Sequence, residues 1–280
     1  MKTDTFVKLT NDILFKYVFS HKDVAFDLIK SFFDYIGVSK KIENLQVFKD
    51  YSIYGANLED KVFYSDVVAI LEDTEYMSIE MYTSFSQEEF MKSASYLSRL
   101  FANQLKRGDL YINAKKVYSI NFMTGDYREE NEDIVNDYGF VRKIEAPNLD
   151  NEFIVMYLIR LDKVSKIVYS KRESRLVRWV RLMNAESIEE MKKIAKGDDA
   201  MEQAIAYVDQ FLKEEGTTFQ DKIEYEKAKS EAKGREEGFN EGVDKDKRET
   251  AKNLLDMDIP ISVISKATGL SKQDIDKLKE

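Results

Sequence analysis

Two carboxylates, Asp66 and Glu80, lie in consecutive apolar stretches and are the residues of this sequence best suited to bind a metal ion. Valine, isoleucine and aromatic residues predict strands over 61–71 and 76–84, and the polar run 72–75 predicts the turn between them. Such a hairpin brings the two side chains together, and Mg²⁺ prefers oxygen ligands and needs few of them from a protein. Because a carboxylate among apolar neighbours is costly unless something satisfies it, we expect a metal site here.

The period of two along a strand divides the side chains of this hairpin between two faces. On the second strand it assigns Glu80 and Tyr82 to one face, and Met77, Ile79 and Met81 to the opposite face as core. The alternative is that the acidic residues lie on the outer, solvent-exposed face of the hairpin and bind nothing, because two carboxylates alone are a weak signal.

The composition excludes several classes of catalytic centre. The 280 residues include no cysteine and one histidine, which rules out disulfides, zinc–thiolate sites, cysteine nucleophiles and histidine-rich metal centres. We expect His21 to be a surface residue, since no nucleophile pattern surrounds it. The first residues lack the apolar core of a signal peptide, and the longest apolar run, 153–159, is too short to span a membrane. These features predict a cytoplasmic protein that does not act at a membrane.

Positive charge is concentrated in one segment of a chain whose net charge is −9. Residues 163–181 contain one acidic residue, Glu173, and the basic residues Lys163, Lys166, Lys171, Arg172, Arg175, Arg178 and Arg181. One interpretation is a local surface that binds a polyanion and borders the carboxylate site, with Arg172, Arg175 and Arg178 as nucleic-acid contacts. The other is a solvated helix face without a ligand.

The order of the predicted elements indicates an α/β core with a mixed sheet. Helical spacing predicts two helices within 11–36, broken near Ser20–Asp23, and one helix at 88–107 that Gly108 ends. Further strands are predicted at 45–54, 117–123, 139–146 and 152–160, and further helices at 162–183 and 186–214, the last with a break at Gly197.

The composition changes after residue 217, so we assign a first domain to 1–217, a charged connector to 218–258 and a helical tail to 259–280. Small residues recur every four positions in the connector, at Ser230, Gly234, Gly238 and Gly242. They form either a stripe on a packed helix or part of a semi-flexible link, since each glycine weakens a helix.

The tail has the pattern of a helix-turn-helix. Pro260 begins a first helix, Gly269 lies in the turn, and Ser271 with Asp274 matches the start of a second helix. The second helix carries as many acidic as basic residues, so two uses stay open. The tail binds DNA, or it joins copies of the chain into a homo-oligomer.

Several segments together resemble one known family. They are NDILFKYVF at 11–19, YSDVVAI at 64–70, SIEMY at 78–82, YLSRLFANQLKRGDLY at 96–111, the Glu/Gly-rich connector at 231–242, and the closing AKNLLDMDIPISVISKATGLSKQDIDKLK. In their order and spacing these segments resemble the recombination-promoting nuclease, also described as the PD-(D/E)XK nuclease family transposase.

The resemblance implies a fold, an activity and a site. The fold is a restriction-endonuclease-like core, in which helices flank the mixed sheet. The activity is cleavage of DNA that depends on Mg²⁺ or Mn²⁺, in recombination or in mobile elements. By position, Asp66 matches the first metal-binding carboxylate of the family and Glu80 matches the second.

One position departs from the family, whose motif ends in Lys or Gln two residues after the Glu. This sequence has Tyr82 there, and a phenol carries no positive charge at neutral pH. Either Lys92 or Lys16 supplies the missing charge, with Gln104 as a further phosphate contact, or the site has lost its activity. In the second case the protein binds DNA or a protein partner through the same core.

Overall fold

Six strands form one mixed sheet in the computed structural model, which describes residues 6–53, 62–72, 75–84, 86–124, 133–139, 153–165, 173–214, 247–255 and 259–279. The strands are β1 (Leu45–Ile53), β2 (Phe63–Leu71), β3 (Glu75–Tyr82), β4 (Val117–Met123), β5 (Val135–Gly139) and β6 (Ile154–Arg160). Their order is β1-β2-β3-β4-β6-β5. Antiparallel pairs join β1 to β2, β2 to β3 and β5 to β6, and parallel pairs join β3, β4 and β6. The predicted α/β core with a mixed sheet is confirmed.

Helices cover both faces of this sheet. The described α-helices before residue 215 are α1 (Asp12–Phe19), α2 (Lys22–Tyr35), α3 (Gln87–Ala102), α4 (Leu161–Ser165), α5 (Arg175–Asn184), α6 (Ile188–Ala195) and α7 (199–214). On one face, the Phe15 ring of α1 lies 6.1 Å from the Phe122 ring of β4. On the other face, Leu97 of α3 packs in a cluster with Val117 of β4. Alternate side chains of one central strand therefore meet helices on opposite sides, as the period of a strand requires.

Because helices cover both faces of the sheet, the side chains on both sides of β3 are buried. Met77, Ile79 and Met81 are buried as predicted. Glu80 and Tyr82, on the other side of the strand, are equally buried, with exposed fractions of 1% and 7%. The alternative of an acidic outer face is wrong for Glu80, because α3 covers the side of the sheet that it shares with Tyr82.

Local signals determine where the helices begin and end. The Asn11 side chain accepts hydrogen bonds from two amides of the first turn and begins α1, and Ser86 begins α3 with a capping box. Helix α3 ends at Ala102, earlier than the predicted residue 107. The Asn103 amide closes the last turn, and the Gln104 side chain then binds backbone of another segment.

Other predicted boundaries hold only in part. The break at Gly197 is confirmed, since this glycine has a φ of +76° between α6 and α7. Strand β5 begins before the predicted strand 139–146, of which only Gly139 lies among the described residues. Residues 140–152 lie outside the described residues, as do residues 166–172 of the predicted helix 162–183. No helix in the described part of the chain has the length and apolar character to cross a membrane.

The chain divides into two compact units, 1–214 and 215–280. In the second unit, residues 247–255 are helical, followed by α8 (Ile261–Thr268), α9 (Lys272–Asp276) and a 3₁₀ turn (Lys277–Lys279). These helices bury a small core around Ala251, Ile264 and Ile275.

The tail contains two short helices joined by a turn. Gly269 ends α8 in the left-handed conformation, with a φ of 75°, and the Ser271 hydroxyl accepts the Asp274 amide at 3.1 Å to begin α9. The connector residues 218–246, with the stripe of Ser230, Gly234, Gly238 and Gly242, lie outside the described residues.

We expect Phe15→Ala to lower the free energy of unfolding by about 3–5 kcal/mol, because this fully buried ring joins α1 to the sheet. Urea denaturation followed by circular dichroism measures the change. The control is Val38→Ala, at a residue that is 43% exposed, which we expect to change stability by less than about 0.5 kcal/mol. Equal stabilities of the two variants would contradict the role of Phe15.

Candidate active site

Asp66 and Glu80 lie side by side on β2 and β3. The antiparallel register pairs Val67 with Ile79, and the next pair in that register is Asp66 with Glu80. The Asp66 amide donates to Glu80 Oε2 at 3.4 Å, and the Met81 amide donates to Asp66 Oδ2 at 3.0 Å. The hairpin therefore brings together the two carboxylates that the sequence singles out.

Lys16 of α1 is the counter-ion of this pair. Its Nζ lies 3.1 Å from Asp66 Oδ1, 2.9 Å from Asp12 Oδ2 and 3.9 Å from Asp50 Oδ1. Asp50 lies across from Asp66 on β1, with a φ of 50° that aspartate tolerates better than most residues. Three carboxylates surround one ammonium group, and Glu80 adjoins one of the three.

Burial controls the protonation of these groups. Burial raises the pKa of Glu80 well above its ordinary value of 4.5, and the negative charge of Asp66 raises it further, although a hydrogen bond from the Ser65 hydroxyl opposes the rise. Burial also raises the pKa of Asp66 and outweighs the opposing effect of Lys16. For Lys16, burial lowers the pKa, but the charges of Asp66 and Asp12 more than compensate, and the net change is upward. Lys16 stays charged, and Glu80 takes up a proton readily.

Tyr82 has its phenol in a buried polar network on the α3 side of the sheet. Its Oη lies 2.9 Å from Ser93 Oγ, and Ser93 Oγ donates to Asn121 Oδ1 at 2.9 Å. Since the Ser93 proton goes to Asn121, Tyr82 is the donor to Ser93. Burial, followed by the nearby charge of Glu80, raises the pKa of Tyr82. The phenol keeps its proton and does not act as a base.

Lys92 of α3 reaches the same cleft from a different helix. Its Nζ lies 5.7 Å from the centre of the Tyr82 ring and 5.3 Å from that of Tyr96. Burial dominates the pKa of Glu80, and the charge of Lys92 is near enough to lower it. The cleft has a volume of about 470 Å³ and is lined by Asp12, Lys16, Asp50, Val62, Tyr64, Ser65, Asp66, Glu80, Met81, Tyr82, Lys92 and Tyr96.

Gln104 does not lie in this cleft. Its Oε1 accepts the Lys115 amide at 2.8 Å, and its Nε2 donates to the Lys115 carbonyl at 3.0 Å. This amide side chain joins the end of α3 to the residues just before β4.

The arginines of the basic segment bind acidic side chains rather than lining the cleft. Arg175 donates to Asp27 and to Asp198 at 2.8 Å, and Arg178 donates to Asp198 at 3.1 Å. The Asp198 side chain is 1% exposed, so both guanidinium groups compensate a buried charge. The expectation that this segment borders the carboxylate site is wrong for these two arginines. Arg172 lies outside the described residues.

Several residues that contact the predicted site residues were not themselves predicted from the sequence, among them Asp12, Asp50, Ser65 and Ser93. Asp12 had a signal, because its spacing of four from Lys16 places both on one face of α1. The sequence contains no such signal for Ser65, Asp50 or Ser93, because their contacts depend on strand register and on the docking of α3.

The donor set fits a hard divalent cation with few protein ligands. Asp66 and Glu80 present carboxylate oxygens from neighbouring strands, and the negative charge around them exceeds the single charge of Lys16. Within the described residues, no group of three or more His, Cys, Asp or Glu is arranged to hold a metal ion. Asp66 and Glu80 would hold such a cation, and Mg²⁺ accepts so few protein ligands because it usually retains several waters.

One comparison with known proteins identifies the family of the chain. A family model described as PD-(D/E)XK nuclease family transposase matches residues 9–233, which include every residue that lines the cleft. The six-stranded mixed sheet flanked by helices is consistent with the restriction-endonuclease-like fold of that family. No curated protein and no solved structure matches the chain.

Without divalent metal, we expect Glu80→Gln to be more stable than the wild type at alkaline pH. The folded pKa of Glu80 lies above its ordinary value of 4.5, so folded wild-type protein loses stability as the pH rises through the folded pKa. A glutamine amide can accept from the Asp66 amide and donate to Ser65 without a charge to desolvate. Melting temperatures measured in chelator from acid to alkaline pH give the change of stability with pH for the wild type and for the variant.

The control for this series is Asp34→Asn, at an exposed carboxylate of α2. We expect its stability to follow the pH in the same way as that of the wild type. An unchanged slope for Glu80→Gln would show that Glu80 is not the group responsible.

Proposed function

Since the chain belongs to the PD-(D/E)XK nuclease family of transposases, we propose that it is a metal-dependent DNA endonuclease linked to mobile elements and recombination. In this proposal, Asp66 and Glu80 hold Mg²⁺ or Mn²⁺, and DNA phosphodiesters are hydrolysed in the cleft between α1, α3 and the hairpin. The observation that carries the proposal is the meeting of both carboxylates with Lys16 and Lys92 in one cleft.

Each charged side chain has a separate task in this proposal. A bound Mg²⁺ would lower the pKa of its water and offset negative charge on the phosphate. Lys16 is a positioning residue, because its ammonium holds Asp66 in place from α1. Glu80 binds a cation as the carboxylate, so its raised pKa makes cation binding stronger at alkaline pH.

We propose that Lys92 supplies the positive charge that Tyr82 cannot provide at the third motif position. The ammonium of Lys16 is held by Asp66 and Asp12, whereas that of Lys92 lies against the rings of Tyr82 and Tyr96. A ring face attracts a cation without pairing it with an opposite charge, so in this proposal the Lys92 ammonium contacts a substrate phosphate.

We expect the purified protein to nick supercoiled plasmid in Mg²⁺ or Mn²⁺, and Asp66→Asn and Glu80→Gln each to reduce the rate by about 100-fold or more. Both substitutions keep the shape of the side chain and remove the charge that binds the cation. Gel separation of supercoiled and nicked plasmid over time measures the rates.

The matched control is again Asp34→Asn, which removes an exposed carboxylate of α2 and retains the wild-type rate. Cleavage that survives in both site variants would assign the activity to other residues or to a contaminant.

We expect Lys92→Gln to reduce nicking by about 10–100-fold while Mn²⁺ affinity stays within a few-fold of the wild type. The lysine contacts the phosphate in this proposal and does not bind the metal. Isothermal titration with Mn²⁺ separates the two effects, and Lys30→Gln, at an exposed lysine of α2, is the control. Equal loss of metal binding and of cleavage would contradict the assignment to Lys92.

A second candidate is a nuclease fold that has lost catalysis and binds DNA or a protein. The burial of Tyr82 at the third motif position favours it, since the phenol is bonded to Ser93 and keeps its proton. A well-folded wild type that does not nick plasmid, together with a Tyr82→Lys or Tyr82→Gln variant that does, would select this candidate.

A further inference from the structure

Three consecutive apolar side chains project into solvent between α3 and β4. Leu110, Tyr111 and Ile112 are 66%, 89% and 85% exposed. Single exposed apolar residues are ordinary on protein surfaces, but a run of three that is this exposed is not. We call these three residues the apolar tip and residues 104–116 the tip loop.

The tip loop is anchored at both of its ends. The Gln104 side chain binds both backbone groups of Lys115 across the base of the loop. The Lys106 amide donates to Asp109 Oδ2 at 2.7 Å, and the tip itself forms a 3₁₀ turn, Tyr111–Asn113. The apolar side chains are therefore presented on an ordered support.

The charge of the tip loop identifies the class of its partner. The loop carries Lys106, Arg107, Lys115 and Lys116 against one acid, Asp109, in a chain whose net charge is −9. Apolar side chains surrounded by cations match a nucleic acid, in which the cations meet phosphates and the apolar groups meet bases.

The position of the loop is consistent with the same duplex that enters the cleft. Tyr96 lines the cleft, and α3 ends six residues later, about 9 Å along the helix axis. On the sheet, the Lys116 carbonyl accepts the Tyr76 amide, and Tyr76 precedes Glu80 by four residues, or about 13 Å of strand. At about 3.4 Å per base pair, these lengths from the cleft to the two ends of the loop correspond to roughly three to four base pairs.

We propose that the apolar tip is a DNA wedge, which inserts Tyr111 and Ile112 between stacked bases while the lysines and the arginine of the tip loop bind the flanking phosphates. This inference rests on the proposed action on DNA. The wedge makes a second contact with the DNA, and it unstacks a base step a few base pairs from the cleft. Insertion of this kind distorts the duplex, so the binding affinity depends on how easily the DNA sequence is deformed.

The experiment compares the full-length wild type with a Tyr111→Ser/Ile112→Ser double variant in Ca²⁺ buffer without Mg²⁺ or Mn²⁺. The probes are short duplexes, each with one 2-aminopurine at a different step. The wild type gives a severalfold rise in fluorescence at one or two neighbouring steps. The double variant loses this rise and binds DNA about tenfold more weakly. The control, Val38→Ser, removes another exposed apolar side chain and leaves both quantities unchanged.

Plasmid nicking in Mg²⁺ is measured in parallel, so that the two proposals can fail separately. DNA-dependent unstacking that requires the tip, without nicking, supports the wedge and overturns the catalytic proposal. Nicking without unstacking at any step overturns the wedge alone. A double variant with wild-type DNA affinity and an altered oligomeric state also overturns it and assigns the tip to self-association. A wild type that neither binds nor nicks DNA overturns both proposals.

Discussion

The repulsion between two buried carboxylates is the interaction on which the site depends. Asp66 and Glu80 adjoin each other where β2 and β3 pair, and little solvent reaches either of them. Like charges in such an environment are costly, so the site needs a compensating cation or a bound proton. Lys16 supplies part of that compensation from α1, and the neighbouring Phe15 fixes the helix by burying its ring completely. The packing of one helix therefore controls the charge of the strand pair.

The third motif position illustrates how a packed interior limits the chemistry of a side chain. Tyr82 lies under α3, and its hydroxyl joins Ser93 and Asn121 in a chain of hydrogen bonds. A group held in this way contributes to the docking of α3 and has no freedom to follow a substrate. The same helix carries Lys92 to the cleft, so the residue change at 82 and the lysine on α3 belong to one arrangement.

The distribution of positive charge follows from where the buried acids lie. Asp198 is in the interior and takes the guanidinium groups of Arg175 and Arg178, which a count of charges along the chain assigns to a binding surface. Arginine is well suited to this task, because its fixed fork of donors compensates a buried carboxylate. The tip loop is different, since its basic residues surround exposed apolar side chains rather than buried acids. It is a surface on which basic residues and exposed apolar side chains lie in one short segment.

The sequence by itself determined the elements and the hairpin that carries Asp66 and Glu80. These features depend on alternation, helical spacing and turn or capping residues such as Gly197, which act over a few neighbouring positions. Only the tertiary structure decided that Lys16 binds Asp66 and that the Tyr82 hydroxyl contacts Ser93. It also decided which arginines form ion pairs with buried acidic side chains. Those contacts join residues far apart in the chain, and strand register and helix docking set them. No local pattern of residue types contains that information, because the partners become neighbours only when the sheet and both of its helical layers have formed.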